Sequence, residues 1–115
     1  MERTIKIIGV CVFRNDGDGC LTSKWMNEGE GPLVEACKKV KEKDSEPEKD
    51  ENKEFEGKYD TVWLEGKVHE RAILLIDKIP GGRYSLKWTR NNGSIIFEGI
   101  GMVFDGLLVA TYWGN

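Results

Sequence analysis

Turn chemistry recurs along most of this chain at intervals of about eight to twelve residues, and no other feature limits the possible folds as strongly. Asp16-Gly17-Asp18-Gly19, Gly29-Glu30-Gly31-Pro32, Gly81-Gly82, Asn91-Asn92-Gly93 and Asp105-Gly106 carry the residues that tolerate positive φ or bond their own backbone. They read as hairpin turns. The runs between them are short and rich in Ile, Val, Leu, Trp and Tyr, so the spacing predicts about eight strands: 4–13, 20–26, 33–38, 57–65, 68–78, 83–90, 94–104 and 107–113. Such a series implies an all-β fold, an antiparallel meander barrel with one long charged loop.

Alternation supports the individual strands. In Arg83-Tyr84-Ser85-Leu86-Lys87-Trp88-Thr89-Arg90, period two puts Tyr84, Leu86 and Trp88 on one face and Arg83, Ser85, Lys87 and Thr89 on the other. Leu21, Ser23 and Trp25 share a face in the same way. Shifting the sequence by 63 residues lays Val10–Ala36 on Ile73–Gly99 without a gap, matching Lys24-Trp25 with Lys87-Trp88 and Glu35 with Glu98. A repeated three-strand meander follows. Pro32 to Val40 also admits a helix, because Leu33, Ala36, Cys37 and Val40 fall at helical spacing behind a proline, but the internal alignment favours a strand.

Length bounds the rest: 115 residues, 39% of them hydrophobic, suit one domain with one core, taken as residues 1–115. The segment 38–56 has only Val40 and Phe55 as apolar side chains among Lys, Glu and Asp, and reads as a solvated loop. No run is long and apolar enough to cross a bilayer as a helix, and the start Met1-Glu2-Arg3-Thr4-Ile5 lacks an apolar leader, so a cytoplasmic protein is expected. A net charge of −3 argues against nucleic acid and anionic membranes as partners. Cys11, Cys20 and Cys37 show no metal-ligand spacing and read as reduced, space-filling thiols.

From Gly57 to Trp113 the chain resembles the small avidin- and lipocalin-like barrels of the calycin type. The residues concerned are Gly57-Lys58-Tyr59, Tyr84-x-Leu86-x-Trp88, Glu98-Gly99-Ile100-Gly101-Met102 and Leu107-Leu108-Val109-Ala110. The lipocalin Gly-x-Trp has Tyr59 in place of Trp here and falls midway along the chain. With 9–13 and 21–25 resembling the strands that would close such a barrel after residue 113, the resemblance implies a circularly permuted order, with the 38–56 loop bridging the usual termini. It also implies a ligand in the barrel mouth, although a fold does not by itself specify a function.

Catalytic constellations are missing: His69 is the single histidine and no nucleophile motif accompanies it, so binding is favoured over catalysis. No metal or cofactor is expected. Glu98, set in an apolar strand, either meets solvent or offers a carboxylate to the interior. Gly99 and Gly101 are expected to let a strand coil or to thin the wall. Aromatic residues are the richest signal, and Tyr59, Trp63, Tyr84 and Trp88 share inward faces by alternation, so they are the candidate pocket, with Arg71, Glu98 and His69 as possible charged anchors. The expected ligand is therefore small and aromatic or anionic, the anion held by Arg71 if its face is internal. The competing expectation is an interaction or inhibitor module, with possible homo-oligomers, acting through an outer face and Tyr112-Trp113.

Overall fold

The computed structural model describes residues 7–40 and 54–114. These form eight strands in sequence order: β1 (Ile7–Gly17), β2 (Cys20–Asn27), β3 (Leu33–Lys39), β4 (Gly57–Glu65), β5 (Val68–Ile79), β6 (Arg83–Thr89), β7 (Ile95–Phe104) and β8 (Leu107–Gly114). Each pairs antiparallel with its neighbour, and β1 pairs with β8 from Ile7–Gly114 to Phe13–Leu108, so the meander closes into a barrel. Closure leaves no sheet edge exposed.

Turn residues act as their chemistry requires. At Asp18-Gly19 both residues have positive φ, 53° and 76°, and Asp105-Gly106 repeats this at 55° and 79°. Two-residue loops of that kind match the twist of the strands they join. The first strand runs on to Gly17 instead of stopping near residue 13, because β1 keeps pairing with β2 through Asn15–Leu21. The helix that the spacing from Pro32 to Val40 admits does not form. Leu33 to Lys39 is a strand paired on both sides, with Glu35 and Cys37 inward and Val34 and Ala36 outward.

Most of the expected charged loop, residues 41–53, lies outside the described residues. Its two flanks correct the expectation that 38–56 packs nothing. Lys38 and Lys39 belong to β3, and Phe55 is fully buried. That ring enters the barrel end from outside the strands, edge-on to Tyr84 at 6.3 Å, while its carbonyl accepts a 2.8 Å hydrogen bond from the Tyr59 hydroxyl. Asn15 Nδ2 holds the preceding carbonyl, that of Glu54, at 2.8 Å. Burying a side chain such as Phe55 is worth about 1.5–3 kcal/mol.

The two meanders suggested by the internal alignment agree for two strands and then part. Cys11 and Leu74, Phe13 and Ile76, and Leu21 and Tyr84 are all inward and buried. But Trp25 pairs with Leu33, whereas Trp88 pairs with Phe97, one residue further along than the 63-residue shift requires. The ladder is irregular between Trp88 and Thr89, and a one-residue slip reverses every later side chain. Glu35 therefore points in, and Glu98 does not.

Candidate functional site

Side chains fill nearly all of the lumen, as expected for eight strands. What remains is a cavity of about 30 Å³ lined by Cys11, Trp25, Glu35, Trp63, Trp88, Phe97 and Tyr112. Its aromatic walls all come from strand ends on one side of the barrel: Trp25 lies two residues before the end of β2, Trp63 two before that of β4, Tyr112 two before that of β8, Trp88 one before that of β6, and Phe97 two after the start of β7. This is the end opposite Phe55. Four contacts are edge-to-face, Trp25–Trp63, Trp25–Tyr112, Trp88–Phe97 and Phe97–Tyr112, with centroids 5.6–6.4 Å apart. Gly9 makes room for this cluster. A Cβ there would come within 2.4 Å of the Tyr112 ring, so β1 can pass beneath that ring only as glycine.

Glu35 forms the polar floor. It is 2% exposed, and among the described residues the buried polar or charged side chains are Ser23, Glu35 and Thr61, so Glu35 is the one carboxylate enclosed and no Lys, Arg or His accompanies it. Its Oε2 accepts a hydrogen bond from Thr61 Oγ1 on β4 and another, 2.9 Å long, from Trp88 Nε1 on β6, while Oε1 receives none from the described residues. Cys37 Sγ in turn donates to Thr61 Oγ1 at 3.5 Å. The carboxyl thus links β3, β4 and β6 across the lumen. Ser23 lies directly opposite Glu35 in register; its hydroxyl is near enough to favour the ionised form, but it makes no hydrogen bond of proper geometry and remains unpartnered while buried.

Burial without a cation fixes the electrostatics. Desolvation pushes the Glu35 carboxyl up from its ordinary value, and the Thr61 and Trp88 hydrogen bonds offset only part of that rise. Burial, and then the nearby Glu35, push the Cys11 and Cys37 thiols up as well, so neither is a thiolate nucleophile at neutral pH. At the rim, Trp63 Nε1 donates to Glu65 Oε1 at 3.0 Å and Asn27 Nδ2 to the Tyr112 hydroxyl at 3.2 Å.

Of the residues chosen from sequence, the structure brings Trp63 and Trp88 to this cavity. Tyr59 and Tyr84 are buried at the opposite end, around Phe55. Arg71 is exposed on the outer wall: β5 turns Ala72, Leu74 and Ile76 inward, so the face carrying Arg71, Ile73 and Leu75 is external. It lines a shallow groove there with Asp60, Arg90, Asn91 and Asn92. Glu98 is half-buried on the outside, between Lys87 and Trp113 in register, and His69 is exposed. Gly99 and Gly101 let β7 close on β8 rather than open a pocket, since a Cβ on either would meet a β8 carbonyl oxygen at 2.6–2.7 Å. Glu35, Cys11, Trp25, Phe97 and Tyr112 were missed, Tyr112 being buried in the lumen rather than part of an outer contact with Trp113. Period two starting from Leu33 would have put Glu35 inward with Cys37, but a carboxylate on an apolar face reads as a break in the pattern. Compared with protein families, curated proteins and solved structures, the chain matches none.

Proposed function

We propose that this protein binds or sequesters a small molecule at the aromatic end of its barrel. One observation carries the reading: five aromatic side chains and a buried carboxyl, hydrogen-bonded on Oε2 but not on Oε1 by the described residues, converge on a residual cavity at one barrel end, while Phe55 is buried at the other. A few convergent polar groups in an apolar recess are what a ligand site requires. The cavity is small, so it takes only part of a ligand, and the rest extends through the mouth beside the half-buried Trp25. On this reading the chain is a cytoplasmic relative of the calycin-type barrels, with its strand order permuted around the β3–β4 connection.

A screen of small metabolites by thermal shift and tryptophan emission tests the reading, because a ligand present at 100 times its Kd stabilises the fold by about 2.7 kcal/mol. Trp25, Trp63 and Trp88 all line the cavity, so a mouth ligand changes their emission. If no compound moves either signal, the reading is wrong.

The outer wall supports a second reading, association with another copy of this chain. Val10 and Met26 are paired and 54% and 49% exposed, and Val109 and Met102 are paired and 37% and 57% exposed. Ile8 and Phe104, 62% and 68% exposed, add apolar surface to the same group of neighbouring strands. Light scattering should then report a dimer that Val10→Glu with Met102→Glu converts to monomer; a monomeric native chain removes this reading.

A further inference from the structure

The cavity's single charged group is a carboxyl, and it has no cation. Among the described residues Glu35 accepts hydrogen bonds from neutral donors, Thr61 and Trp88, both on Oε2, with the neutral Ser23 hydroxyl close by. A buried carboxylate is costly unless a positive charge joins it. Around it stand Trp25, Trp63, Trp88, Phe97 and Tyr112, whose ring faces attract cations. Several of these rings stand nearly perpendicular to one another, so faces and edges alternate around the space.

We propose that the mouth binds the ammonium head of a small primary amine, its nitrogen against Glu35 and among these rings, its tail leaving through the barrel end. The proposal rests on the small-molecule reading above and names the chemical class of that ligand. Size selects the head. About 30 Å³ corresponds to about two water positions, enough for an ammonium and its first carbon and too little for a trimethylammonium group. A divalent metal ion is a poor occupant, because calcium and magnesium take six or more oxygen ligands and no cluster of metal-ligating side chains exists among the described residues. At the rim Glu65 accepts from Trp63, and burial, with Glu30 among the smaller causes, raises the Tyr112 hydroxyl. The unpartnered Ser23 hydroxyl, opposite Glu35, is a donor in reserve for the carboxylate once it ionises.

Binding is coupled to a proton. Burial favours the neutral acid in the empty site, so an amine arriving as ammonium makes Glu35 release its proton to solvent; affinity rises with pH until Glu35 is already ionised in the empty site, and falls once the amine itself deprotonates, near 10 for an alkylamine. The other titratable groups facing Glu35 are Cys11 on β1, Cys37 on β3 and Tyr112 on β8, all pushed upward and neutral over that range. An anionic ligand would show the opposite dependence.

The test titrates the full chain with butylammonium, butyltrimethylammonium, butan-1-ol and butanoate at constant ionic strength, at pH 5.5 and 8, by tryptophan emission and calorimetry. Butylammonium should bind at least tenfold more tightly than butan-1-ol and butyltrimethylammonium, and more tightly at pH 8. Glu35→Gln should erase that tenfold preference while leaving the butan-1-ol affinity in place. Should that variant not fold, Trp25→Leu at the half-exposed rim should lower ammonium affinity more than alcohol affinity. Butanoate or butan-1-ol binding as well as butylammonium, or an undiminished ammonium preference in Glu35→Gln or Trp25→Leu, overturns the ammonium assignment alone. If no probe of any charge binds, the small-molecule reading fails with it.

Discussion

The two ends of the barrel are built from the same kind of residue and come to opposite results. At one end Phe55, Tyr59 and Tyr84 pack with Leu108 and Ile76 into a closed plug, in which the Tyr59 hydroxyl donates to the Phe55 carbonyl. At the other, Trp25, Trp63, Trp88, Phe97 and Tyr112 surround a carboxyl and leave a gap. Aromatic content is therefore not what leaves a cavity. An unsaturated polar group is, because rings alone close on each other, whereas a carboxyl must keep either a partner or a space for one.

The contrast can be broken first at the plug. Phe55→Ala empties a fully buried position at the closed end and should destabilise the fold by about 3–5 kcal/mol, read from denaturant unfolding. A loss below about 1 kcal/mol would show that the plug is not part of the core.

At the open end the expected effect is smaller and depends on pH. Glu35→Ala leaves Trp88 Nε1 and Thr61 Oγ1 without their acceptor and should cost about 1–3 kcal/mol. The carboxyl's folded-state pKa lies above its ordinary value of 4.5, so its contribution is fully present below that pH and is lost as pH rises through the folded value. Melting temperatures from pH 4 to 8 should therefore fall with pH for the native chain relative to Glu35→Gln. Parallel curves for the two proteins would contradict the buried acid. The exposed Asp16, held low by Thr22 and Arg14, has the opposite sign but is common to both chains and cancels in the difference.

Opening the chain within residues 41–53 and joining the ends through a short linker should change stability less than either substitution. Ile7 and Gly114 are already neighbours in register, so the new connection closes a short gap. Failure of this permutant to fold would show that the β3–β4 connection does more than carry Phe55 to the plug. The smallest effect belongs to Arg71→Ala, within about 0.5 kcal/mol and without influence on any mouth ligand, since Arg71 stands on the outer wall. Lost ligand affinity in that variant would move the site to the outer groove.

Local chemistry was enough to read the strand count, the turns and the barrel class. Asp18-Gly19 and Asp105-Gly106 are local chemistry, and so is the alternation of Tyr84, Leu86 and Trp88, which needs no tertiary information to be read. It also brought Trp63 and Trp88 into the candidate pocket. What it could not decide was phase and position. Glu35 and Glu98 align with each other in the sequence, yet a one-residue slip after Trp88 sends one into the lumen and leaves the other on the wall. Arg71 lay on an apolar-looking face whose direction depends on which side of β5 the barrel closes around. Register and closure are set by pairings between residues far apart in the chain, and these decided which aromatics became a plug and which surround a carboxyl.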